Sequence, residues 1–79
     1  MDESLDELAR EYFQRCDAYD ASVCSAVSPR SGEPIPANSR EAALINQHAM
    51  QVRRELSQRG LFSLADLQQA IIRIGYERR

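Results

Sequence analysis

Ala42, Ile45, Ala49, Val52 and Leu56 recur at steps of three and four, which places them on one stripe of a helix. Asn38 stands before the stripe with Glu41 three residues on, the pattern of a capping box. Gly60 follows it and is placed to supply the left-handed residue that ends many helices. The pattern therefore predicts a helix over 39–59. Leu44 and His48 widen the stripe on one flank, so this helix is expected to be the middle one, with a neighbour on each side.

Upstream, Leu5, Leu8, Ala9, Tyr12, Phe13, Cys16, Tyr19, Val23 and Val27 share a second helical face, opened by another capping-box pair, Ser4 and Glu7. Within it Ala9, Tyr12, Cys16, Tyr19, Val23 and Ala26 form the seam of a hairpin. A helix over 4–27 follows, stopped by Ser28-Pro29, because proline disfavours helical geometry in the residue before it. Residues 28–37 hold Gly32 and all three prolines and read as a connecting loop, locally extended at Pro34-Ile35-Pro36. Downstream, Phe62, Ser63, Asp66 and Leu67 fit a hydrophobic staple around a capping box. A short helix over 64–74 follows, with Leu67, Ile71 and Ile74 facing inward and Gly75 ending it. Tyr76 to Arg79 reads as a frayed basic tail. The fold expected is all-α: a long antiparallel helical hairpin with a short third helix across its open end, as a single domain over 1–79.

At 79 residues a core of this kind contributes only about 3–5 kcal/mol, so association with another chain is an expected supplement. No apolar run approaches the roughly 20 residues that span a bilayer, and Met1-Asp2-Glu3-Ser4 lacks a signal-peptide core, which points to the cytoplasm and away from a membrane. The net charge of -2 is too small to demand a polyanionic partner, but its distribution is uneven. Residues 1–28 carry seven acids (Asp2, Glu3, Asp6, Glu7, Glu11, Asp17, Asp20) against Arg10 and Arg15, whereas 53–79 carry six arginines against Glu55, Asp66 and Glu77. Acidic and basic ends are thus expected to face each other, within one chain or across a dimer. All ten basic residues are arginine, a bias that codon usage explains more simply than a need for bidentate carboxylate or phosphate recognition, since scattered sites such as Arg10 and Arg30 have no visible reason to prefer a guanidinium.

Candidate chemistry is sparse. Cys16 and Cys24 stand eight apart on a predicted helix, about 12 Å by helical rise, too far for a disulfide, so free thiols are expected. One histidine and two divergent thiols make no metal set, and three isolated glycines make no phosphate loop; no cofactor is expected. Asp20 and His48 become neighbours if the first two helices fold back at about Glu33, as a general base with its orienter or, more simply, as a satisfied pair at the core's edge.

Two function classes follow. The first is a non-enzymatic helical protein–protein interaction module, an adaptor, regulator or inhibitor of a larger protein, acting as a homodimer. Its contact candidates are the misplaced apolar residues Ile35, Met50, Ala65, Ile72 and Tyr76. The second is a small DNA-binding regulator using the helix–glycine–helix segment 51–74, with Arg53, Arg54, Gln68, Gln69 and Arg73 toward nucleic acid. That segment departs from the helix-turn-helix pattern at Glu55, Leu56 and Asp66, and its second helix carries a single positive charge before the tail.

Overall fold

The computed structural model describes residues 3–78; Asp2 of the acidic N-terminal run and Arg79 of the tail lie outside them. The element order is α1 (Leu5–Val23), β1 (Ala26–Val27), β2 (Pro34–Ile35), α2 (Ser39–Gly60) and α3 (Leu64–Glu77). The architecture is all-α, three packed helices with one two-stranded antiparallel ladder between the first two. No helix among the described residues is long and apolar enough to cross a membrane.

Each helix starts where a short polar side chain meets its orphan amides. Ser4 Oγ accepts the Glu7 N–H at 3.2 Å, Asn38 Oδ1 accepts that of Glu41 at 2.9 Å, and Ser63 Oγ accepts that of Asp66 at 3.1 Å. The second half of the α2 capping box is displaced by one residue. Glu41 Oε1 accepts the N–H of Ala37, not of Asn38, at 3.0 Å, and also that of Ser25 at 3.1 Å, while Oε2 accepts the Ser25 hydroxyl at 3.0 Å.

That carboxylate explains why α1 ends at Val23 and not at 27. Ser25 spends its N–H on Glu41 instead of on a helical carbonyl, and Ser22 caps the Tyr19 carbonyl with its own hydroxyl. Cys24 turns extended, and Ala26 and Val27 pair with Ile35 and Pro34. The segment 28–37 is therefore a small hairpin end as well as a connection. Ser28 N–H reaches Glu33 O and Gly32 N–H reaches Ser28 O, each at 2.8 Å, and Gly32 takes φ +70°.

Two glycine expectations are corrected. Gly60 is the last residue of α2, and the left-handed position falls to Leu61, at φ 58° and ψ 34°. Glycine at 60 serves closeness instead: a Cβ there would lie 2.5 Å from Leu8 Cδ1 and 2.9 Å from Phe62 Cδ2. Gly75 does not end α3, which runs on through Tyr76 to Glu77, so these two residues are helical and not a frayed tail. A Cβ on Gly75 would come within 3.3 Å of Phe13 Cζ, so its small size also serves helix approach.

The core is Leu8, Ala9, Val52, Leu56, Leu67, Ala70, Ile71 and Ile74, with Leu5, Tyr12, Phe13 and Phe62 packed around it. The expected middle helix is not the middle one. α1 packs on both α2 and α3, whereas α2 and α3 share a slimmer contact. α3 lies alongside α1 in the same direction, Leu5 beside Ala70 and Phe13 beside Gly75, and not across the hairpin's open end. With 14 residues against 22, α3 is too short to cover all of α2. Val52 and Leu56 are buried, while Ala42, Ile45 and Ala49 stay half-covered and Leu44 is exposed.

The charge asymmetry is resolved inside the chain. Arg59 bridges Glu3 and Glu11, Arg15 bridges Glu55, Arg73 bridges Asp6, and Arg78 bridges Asp17 while lying 4.4 Å over the Phe13 ring. These pairs are exposed, so each adds little to stability but together they fix how α2 and α3 dock on α1.

Candidate functional site

α3 keeps its charges on one side. Asp66, Arg73 and Glu77 are spaced by seven and four, so they fall on one flank at 3.6 residues per turn. The opposite flank carries Leu64, Ala65, Gln68, Ile72, Gly75 and Tyr76 and no charge. Leu64 and Ile72 are each about half exposed, at 49% and 50%, and Tyr76 is exposed at 70%. α2 extends this flank: Met50, 48% exposed, joins Leu64, Ala65, Gln68, Arg53 and Arg54 around a groove of about 340 Å³. A second hollow of about 240 Å³ lies further along α3 between Ile71, Ile72, Gly75 and Tyr76. Arg53 Nη1 donates to Gln68 Oε1 at 2.9 Å, which gives the amide carbonyl in the middle of the strip its partner.

Of the contact candidates, then, Met50 and Ala65 share one groove, and Ile72 and Tyr76 share the next hollow on the same flank. Ile35 does not join them; it sits on β2, paired with Ala26 against α1. Leu64 was missed as a contact residue because it reads as the first apolar residue of an inward face; the four-residue steps to Gln68 and Ile72 were the available signal. Leu61, 92% exposed, was hidden by the assignment of the turn to Gly60.

The five nucleic-acid candidates do not make one surface. Arg53, Arg54 and Gln68 line the α2–α3 groove, but Arg53 is engaged with Gln68. Gln69 and Arg73 lie on the other side of α3, in a hollow shared with Leu5, Asp66 and Ala70, and Arg73 is paired with Asp6.

Asp20 and His48 come within electrostatic range without a hydrogen bond between them. Burial and the neighbouring Asp17 push the Asp20 carboxyl up, and His48 pulls it partly back. The His48 ring instead stacks on Tyr19, 3.9 Å between centroids and 3° from parallel, and its buried Nδ1 has no hydrogen-bond partner among the described residues. Cys16 is buried and Cys24 half-buried, and both thiols are free. Burial pushes both upward from the usual thiol range, with Asp20 adding to the rise, so both are protonated at neutral pH and poorly nucleophilic. Among the described residues no group of three or more His, Cys, Asp or Glu side chains is arranged to hold a metal ion. No protein family, curated protein or solved structure matches the chain.

Proposed function

We propose that this chain is a non-enzymatic helical module that works in the cytoplasm by binding another protein, as an adaptor, regulator or inhibitor. The observation that carries the reading is the uncharged α3 flank, continued onto Met50 of α2. Single exposed apolar residues are ordinary, but Met50, Leu64 and Ala65 line one groove with Arg53 and Arg54, and Ile72 follows one turn beyond Gln68 on the same flank. Charge depletion in the middle with cations at the rim is the composition of a protein interface core. The candidate cations are largely engaged, Arg53 by Gln68 and Arg73 by Asp6, which favours a protein over a nucleic acid as the occupant.

The test is capture by immobilised protein from an extract of its own host, with variants on and off the flank. Wild type and Ile35→Asp are expected to retain the same stoichiometric partner, and Ile72→Asp to lose it. Equal retention by Ile72→Asp refutes the surface. Binding of duplex DNA that weakens steeply with salt would replace this reading with the DNA-binding one.

A further inference from the structure

We infer that the occupant of this flank is a second copy of the chain, docked by laying two α3 helices antiparallel across a two-fold axis at the level of Ala70. The inference rests on the reading of the flank as a protein interface and names the protein it takes: the partner captured from a host extract would be the native chain itself. A two-fold contact is isologous: whatever one residue touches must touch back from the same place on the other copy. The flank satisfies this condition by its spacing. Residues equally far from position 70 share a level in an antiparallel pair, which sets Gln68 against the second copy's Ile72 and Ala65 against its Gly75, with Leu64 and Tyr76 along opposite margins of the contact. Gln68 and Ile72 meet nearest the axis, and the two smallest residues of the flank meet about one turn further out, where they let the backbones approach.

The charges around the flank agree with the same operator. Beside Leu64 and Ala65 the groove carries Arg53 and Arg54. At the other end, Gly75 opens onto a hollow of about 630 Å³ that carries Asp17, Asp20 and Glu33. Arg78 lies in that hollow too and pairs with Asp17, so the acidic end is carried by Asp20 and Glu33. Antiparallel docking brings the basic end of each copy onto the acidic end of the other, twice. Parallel docking would set like charges together. The Arg53–Gln68 hydrogen bond lies within one copy, so the Gln68 carbonyl keeps its partner when the centre closes. A standard interface covers roughly 800 Å² on each partner. That is about one seventh of the 5725 Å² the chain exposes, and the strip on offer runs from Met50 along α3 to the Gly75 hollow.

Sedimentation equilibrium tests the proposal on wild type, Ile72→Asp, Arg54→Glu, Glu33→Arg and the double variant R54E/E33R, each first checked for unchanged helical circular dichroism. Wild type is expected at twice the 9.0 kDa chain mass. Ile72→Asp should raise the dissociation constant roughly thirty-fold or more, the loss typical of an interface hot spot. Each single charge reversal should weaken the dimer several-fold, and the double reversal should recover most of that loss. A monomeric wild type, or a dimer indifferent to Ile72→Asp, overturns the inference. A double variant no tighter than either single one overturns the antiparallel register. The outcomes separate from those of the broader reading: if wild type is monomeric but Ile72→Asp still loses a captured partner, the surface stands and the second copy falls.

Discussion

Leu61→Gly is expected to stabilise the protein, although it deletes a large apolar side chain. Leu61 holds the left-handed conformation, φ 58° and ψ 34°, at the end of α2. An L-residue with a Cβ pays about 1–2 kcal/mol there, which glycine does not. Little is lost in exchange, because the side chain is 92% exposed and buries almost nothing. The opposing term lies in the unfolded chain, whose extra freedom with glycine costs about 0.4–1 kcal/mol. The balance is a gain of about 0.5–1 kcal/mol, or roughly 2–8 °C in Tm for a domain of this size. Urea unfolding followed by circular dichroism, at one protein concentration, reads it directly. Gly60→Ala is the companion measurement. Its Cβ would overlap Leu8 Cδ1 at 2.5 Å, and Leu8 is fully buried, so the overpacking cost of about 1–3 kcal/mol outweighs the roughly 1 kcal/mol that alanine gains in a helix. An unchanged or lower midpoint for Leu61→Gly would refute the assignment of the left-handed residue.

Two further outcomes follow from titratable groups. The Ala37 N–H, then the Ser25 N–H and hydroxyl, hold the Glu41 carboxyl below its usual 4.5, so its contribution is complete above that pH and is lost as pH falls through the lower folded value. Glu41→Gln should flatten the acid limb of the stability curve below about pH 5 and leave its slope near neutrality unchanged; an unaltered acid limb would count against the clasp. Iodoacetamide at pH 7.5 should modify native Cys16 far more slowly than the same thiol in urea, since burial pushes it above 9.0; equal rates would show the site is open.

The legible parts of the fold were those decided within a few residues. Ser4, Asn38 and Ser63 each cap from three positions before the amide they serve, so all three helix starts stood in the pattern. What escaped it depends on chain brought from elsewhere. α1 stops at Val23 because a carboxylate sixteen residues beyond Ser25 takes its amide. Gly60 and Gly75 read as stops because glycine usually is one, yet both are small for the sake of Leu8 and Phe13 on another helix. The width of the α2 stripe suggested a central position, but the length of α3 leaves Ala42, Ile45 and Ala49 half-covered and gives the middle to α1. The candidate surface followed the same rule. Ile72 and Tyr76 were visible on one helix, while the approach of Met50 and Arg54 to Leu64 required the crossing of two.

The Glu41 carboxylate has a use for protein engineering. One oxygen holds the backbone nitrogens of both Ser25 and Ala37, so the two strands of chain leaving the helices are pinned side by side. The loop between them therefore has its ends held together independently of its tip. A guest peptide or a whole domain grafted at the exposed turn, residues 30–31, would leave that pin and the helices in place.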